Sequence, residues 1–264
     1  VGIYKLTIGA VALSMTSIAM ANEELVMNVE SDGLGTIWTY GSDVAETNGE
    51  IVELDSYDFG DFSVSGSNIK SISKQVSVQT GVDGLGNPLG IVMDYTLVWD
   101  ADPFVVNVFS MTNNTGLGQV FTVDATSLIN PALVGSTIHR GQVAGSVTDA
   151  NNDGLGGASI AAGTNLYEAF VDGISAKTLI DDSNTFGFDG VGGTTALGPG
   201  GFGPEAGPND PSVDLRLTYT FFLAAGDSIS LNGFYFIDTE DIPGPATLAL
   251  LGVAGFAGRR RRRN

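Results

Sequence analysis

From residue 25 onward apolar and polar positions alternate with period two, the pattern of strands that bury one face. Segments 25–29, 36–40, 50–54, 68–78, 91–99, 104–111 and 119–125 carry it, each bounded by Gly, Asn or Asp. The habit continues at 136–147, while 165–171 reads either as a strand or as one short helix. It is cleanest at 213–223, where Val213, Leu215, Leu217, Tyr219 and Phe221 share one face and Asp214, Arg216, Thr218 and Thr220 the other. After the turn 224–227, residues 228–237 alternate again, with Ile229, Leu231, Tyr235 and Ile237 on one face. The two runs are expected to pair as an antiparallel hairpin. Short strands, Gly-rich turns and hardly any helical periodicity predict an all-β antiparallel sandwich, jelly-roll-like. Residues 186–211, dominated by Gly, Pro and Asn, are expected to form a long surface loop.

The word Asp-Gly-Leu-Gly occurs at 32–35, 83–86 and 153–156, with a relative, Thr-Gly-Leu-Gly, at 115–118. The unequal gaps exclude a solenoid period. A recurring hairpin turn is expected, in which the Asp-Gly step supplies a positive φ and the Leu folds back onto the sheet.

Charge changes the picture next. Between 22 and 241 only Lys70, Lys74, Arg140, Lys177 and Arg216 stand against all 30 acidic residues, a net of −25. Such a surface repels nucleic acid and anionic lipid and attracts divalent cations. With no cysteine, disulfides, thiolate metal sites and a lipoprotein anchor are excluded. About 220 residues remain between the two terminal segments described below, a size one sandwich fills.

Candidate chemistry is sparse. Asp149, Asn151 and Asp153, followed by Gly154, match the opening of a calcium loop, in which alternate oxygens face a cation and the glycine permits a sharp turn. Position 12 of such a loop is Ile160, so its bidentate acid is missing, and calcium is a candidate ion only if other loops add oxygens. Asp181, Asp182, Asp55, Tyr57 and Asp58 are candidate donors. His139, the single histidine, has no partner for a two-histidine metal site and no G-x-S-x-G nucleophile signature to serve, so a structural role is expected. Gly198, Gly200 and Gly203 spell G-x-G-x-x-G without the strand and helix that a dinucleotide site needs. Sugar stacking has candidates in Trp38, Tyr40, Tyr57, Trp99 and Tyr235, which in strands are more often core. No catalytic constellation is visible, and no enzymatic activity is expected.

Both ends carry targeting features. Residues 1–21 have Lys5 near the start, an apolar run at 6–20, and Ala19 and Ala21 in an A-x-A pattern before Asn22, Glu23 and Glu24. That is the order of a secretory signal peptide cleaved after Ala21, its apolar part forming a signal helix. Residues 242–264 begin Ile242, Pro243, Gly244, Pro245, continue with the uncharged apolar run 246–258, and reach Arg259, Arg260, Arg261, Arg262 and Arg263. The prolines keep the peptide before the run extended. A 13-residue helix is ~20 Å long, short of a ~30 Å hydrocarbon core unless Arg stems snorkel. The arginine block then orients the short transmembrane helix with that block cytoplasmic.

This order resembles the PEP-CTERM sorting signal of bacteria with an outer membrane, with Gly244 where the family has Glu. The resemblance covers 242–264, including Pro245-Ala246-Thr247-Leu248-Ala249-Leu250-Leu251-Gly252. It implies processing by an exosortase, a membrane cysteine protease, and a setting of exopolysaccharide and biofilm. The chain is thus expected to be an exported cell-surface or extracellular-matrix protein, with a transient or retained C-terminal anchor in the inner membrane. Extracellular polysaccharide is a candidate partner. The alternative is a carbohydrate-binding module that grips a glycan, with calcium as a candidate cofactor.

Overall fold

The computed structural model describes residues 25–41, 51–58, 63–100, 103–154, 157–182, 185–187 and 193–239. These contain no helix and 15 strands. In chain order they are β1 (Leu25–Ser31), β2 (Gly35–Gly41), β3 (Val52–Asp58), β4 (Ser63–Val82), β5 (Pro88–Asp100), β6 (Phe104–Asn114), β7 (Gln119–Leu128) and β8 (Thr137–Thr148), then β9 (Gly157–Ser159), β10 (Asn165–Val171), β11 (Ile174–Asp181), β12 (Thr185–Gly187), β13 (Thr194–Ala206), β14 (Asp214–Leu223) and β15 (Ser228–Thr239). One antiparallel sheet runs β11-β10-β14-β7-β1-β2, with β9 joined to β14 and β12 to β9; the other runs β13-β8-β15-β6-β5-β4-β3.

The sheets close over one core. Leu25, Met27 and Val29 of β1, Phe121 and Val123 of β7, and Leu217, Tyr219 and Phe221 of β14 meet Leu97 and Trp99 of β5, Val105 and Phe109 of β6, and Leu231 and Tyr235 of β15. The alternation read from the sequence is the cause: one residue in two points inward and leaves water. Two glycines refine the fit. A Cβ on Gly233 would lie 2.3 Å from the Tyr219 hydroxyl oxygen, and one on Gly141 2.3 Å from that of Tyr167. Tyrosines of one sheet therefore seat their hydroxyls against bare backbone of the other. There Tyr167 donates to the Phe234 carbonyl at 2.9 Å.

A second apolar cluster sits on the outer face of the β13–β3 sheet. Val98, Phe104, Val106, Phe234 and Phe236 alternate with the core residues of their strands and so point away from the core. The hairpin of β3 and the start of β4 lies across them, bringing Leu54, Tyr57, Val64 and Ile69, with the Tyr57 and Phe104 rings stacked 6.2 Å apart.

Several expectations change. The runs 213–223 and 228–237 do not form a hairpin: β14 pairs with β10, β7 and β9, whereas β15 pairs with β6 and β8 in the opposite sheet. Both bury their alternating face in the same core, but the intervening turn carries the chain across that core. Asn113 at the end of β6 holds the crossing, its Nδ2 donating to the Leu223 and Ala224 carbonyls at 3.0 and 3.3 Å, while Gly226 adopts φ +83°. Segment 165–171 is a strand, buried on both faces because Phe170, on the outer side, is covered by the Arg216 guanidinium 3.9 Å from its ring centroid. Segment 186–211 is not one loop. It contains β13, an edge strand paired to β8 with register shifts between Leu197 and Gly200 and between Phe202 and Glu205. Glycine and proline are tolerated there because an edge strand leaves half its backbone groups outside the ladder.

Candidate functional site

The turns segregate. Antiparallel register places the β1–β2, β4–β5, β6–β7, β8–β9 and β14–β15 connections together at one end of the sandwich, since Ser31 pairs with Gly35, Val82 with Pro88, Gly90 with Asn114, Leu223 with Gln119 and Ser228 with Thr148. All three Asp-Gly-Leu-Gly words and their Thr-Gly-Leu-Gly relative open in these connections. Leu25, paired with Ser127, and Thr239, paired with Thr137, mark the opposite end, where the described chain enters and leaves.

The turns are built differently from expectation. In the first two words the positive φ belongs to Gly35 and Gly86, the last residues, whereas in the third it belongs to Gly154, the Asp-Gly glycine as expected, and in the relative to Gly116. The leucines do not fold back: Leu34, Leu85 and Leu117 are 42%, 90% and 71% exposed. Only the first two words close hairpins, because β6–β7 and β8–β9 cross between sheets. The aspartates do the organising. Asp83 accepts from the Leu85 and Asn87 amides at 2.8 Å each and from Asn87 Nδ2 at 2.7 Å, which holds its carboxyl below the usual range. Asp32 accepts the Val120 amide at 3.1 Å, tying the β1–β2 turn to the start of β7.

The candidate calcium loop lies at this end. Asp149, 1% exposed, accepts the Asp153 amide at 3.2 Å and the Gly154 amide at 3.0 Å. Asn151 Oδ1 also accepts the Asp153 amide at 3.0 Å, and Asn151 Nδ2 donates to Asp153 Oδ2 at 3.0 Å and to the Ala225 carbonyl at 3.1 Å. That last bond ties the loop to the β14–β15 turn, whose Asp227 is 0% exposed. Asp227 Oδ2 accepts the Gly157 amide at 2.7 Å, and its Oδ1 has no hydrogen-bond partner. Burial pushes this carboxyl up; the Gly157 amide opposes, and the charges of Asp149 and Asp153 raise it further, with a smaller counter-effect from the Ala150 amide. Among the described residues no three His, Cys, Asp or Glu side chains converge as a metal-ligand set. Asp182 instead accepts the Gly163 amide at 2.7 Å, and Asp55, Tyr57 and Asp58 belong to the hairpin on the outer face.

His139 is structural in its contacts. It is 5% exposed, its Nδ1 is 2.9 Å from the Tyr235 hydroxyl and its Nε2 3.4 Å from Glu205, which Lys177 also engages at 2.6 Å. Burial lowers its pKa more than Glu205 raises it. Lys177 of β11 and Glu205 of β13 thereby clasp the edge strands of the two sheets.

The sugar-stacking candidates do not form a platform. Trp99, Tyr40 and Tyr235 are buried, half-buried Trp38 stacks on Tyr40, and half-buried Tyr57 covers Phe104. The outer face of the β13–β3 sheet instead holds an open groove of about 750 Å³ beside the β3–β4 hairpin. Its polar side chains pair across strands, Ser73 with Thr96 at 2.7 Å, Gln75 with Asp94 at 2.8 Å and Ser230 with Ser110 at 3.1 Å.

The expected cleavage residues Ala19 and Ala21, the expected sorting motif Ile242, Pro243, Gly244 and Pro245, and Arg259, Arg260, Arg261, Arg262 and Arg263 lie outside the described residues, as do the segments expected to form the two terminal helices. Sequence reasoning missed Asp227 because it sits 74 residues beyond Asp153, in a turn with no metal-loop spacing. No family model and no curated protein sequence matches the chain.

Proposed function

We propose that this protein is an exported cell-surface or extracellular-matrix component that acts by display rather than catalysis, delivered by an exosortase-type signal at 242–264. The single observation that carries the reading is polarity. The sandwich is entered at Leu25 and left at Thr239 from one end, while the aspartate-ordered turns with exposed leucines form the other. A body held through its termini would present that turn-rich end outward. The −25 charge between 22 and 241 suits a solvated envelope and disfavours nucleic acid. The jelly-roll-like arrangement, the N-terminal signal helix and the short transmembrane helix belong to the same proposal.

The test is fractionation in a host that carries an exosortase. A chain ending at Asp241 is expected in the medium, and the full chain in the membrane fraction or shortened at its C-terminus by mass spectrometry. Equal fractionation with intact termini overturns the sorting reading.

The groove favours a second reading. Its lining is mainly apolar with hydroxyl, amide and carboxylate side chains set into it, a combination that suits a polyhydroxylated ligand such as an extracellular polysaccharide.

A further inference from the structure

The structure assigns a calcium-class cation site to the turn-rich end, formed by Asp227 of the β14–β15 turn with Asp149, Asn151 and Asp153 of the β8–β9 connection. The argument starts from Asp227 Oδ1, an oxygen of a fully buried carboxylate that makes no hydrogen bond, the Ala150 amide exerting only the weakest of the effects on that carboxyl. Leaving such an oxygen unpaired away from water is unfavourable, so it calls for a proton or a cation. The two connections that frame it are packed against each other: a Cβ on Gly226 would lie 2.3 Å from Asn151 Nδ2, which itself bonds the Ala225 carbonyl. The charged groups nearest in effect to Asp227 are Asp149 and Asp153, both negative. None of the five connections at this end contains a lysine or arginine that would balance them.

The donor set decides the class of ion. Carboxylate and carboxamide oxygens, with no sulfur or imidazole, suit a hard cation. Magnesium demands near-ideal octahedral geometry and sheds water reluctantly, whereas calcium accepts irregular oxygen cages. The Asp227 carboxylate replaces, from a distant part of the chain, the acid that the loop lacks at Ile160. Coordination asks the exposed Asp153 to swing its carboxylate toward Asp227, a side-chain rotation that leaves the backbone hydrogen bonds of Asp149 in place. The inference rests on the display reading only for its supply of extracellular calcium.

The experiment uses the full chain in detergent micelles, with calcium chloride as the probe. Calorimetric titration is expected to give one site with Kd of about 0.1–1 mM, the range of extracellular modules. Calcium at ten to a hundred times Kd should raise Tm above the chelated protein by about 3–10 °C. Asp227→Asn is expected to weaken binding at least tenfold, and Asp153→Asn, at an exposed position, to weaken it severalfold with the fold intact. Asp83→Asn, in a turn at the same end, should leave affinity unchanged. No calcium-dependent shift at 10 mM, or unchanged affinity in either folded variant of Asp227 or Asp153, overturns the site. If Asp227→Asn does not fold, Asp153→Asn decides alone. None of these outcomes touches the sorting reading, which fractionation tests separately.

Discussion

The molecule buries apolar side chains in two places, and the two are held differently. Between the sheets, Phe121, Phe221, Tyr219 and Trp99 are enclosed by strands bonded on both sides, and hydroxyls of Tyr167 and Tyr219 fill the space over Gly141 and Gly233. On the outer face, among the described residues, Phe104, Phe234 and Phe236 are covered by one hairpin through Leu54, Tyr57, Val64 and Ile69, with the Arg140 guanidinium 5.8 Å from the Phe236 ring centroid. The core is over-determined, so a change there is felt by both sheets. The outer cluster depends on one local element that can open while the sandwich stands. The groove beside that hairpin therefore adjoins the more yielding of the two clusters.

The largest effect should come from the core. Gly233→Ala is expected to cost about 3 kcal/mol in denaturant unfolding, because its Cβ would meet the Tyr219 hydroxyl oxygen at 2.3 Å and the Gln142 carbonyl oxygen at 2.8 Å. Adding Tyr219→Phe removes the first clash and should recover roughly 1 kcal/mol in a double-mutant cycle. Additive effects would break the claim that hydroxyl and glycine are matched. Tyr57→Ala should cost about 1 kcal/mol and speed hydrogen exchange in β3 and the first part of β4 alone. If exchange rises equally in β7 and β14, the two clusters are one unit.

The smallest effect is a pH slope confined to the core side, at His139 against Tyr235, Glu205 and Lys177. Its folded pKa is lowered by burial, so the unfolded chain takes up the proton first. Stability is then full above about pH 6.5 and falls as pH drops through the lowered folded value. Glu205, held low chiefly by its bond from Lys177, adds a loss at still lower pH. His139→Gln should flatten the upper part of the slope, as read by Tm between about pH 7 and 5. An unchanged slope would place the titration elsewhere.

The strands were legible because one-sided burial writes period two directly into the chain, as at Leu215, Leu217, Tyr219 and Phe221. Pairing was less so. A hairpin and a crossing between facing sheets demand the same alternation, and the choice at 224–227 rests on Asn113, more than 100 residues earlier. Strand β13 was hidden because its ladder bonds need no apolar side chains, only backbone beside β8. The aspartates of the repeated turns were visible as turn formers, yet the outward leucines were not, since nothing local says which side of a turn faces water. At the candidate cation site half was readable: Asp149, Asn151 and Asp153 lie in one loop, while Asp227 joins them only through topology.

The edge made by β13 has a consequence for self-association. A bare sheet edge is a template on which another chain can add a strand. Pro199 and Pro204 withhold amides from that template, and the two register breaks keep any straight partner from running its length. The β13 edge is therefore a poor template for strand addition.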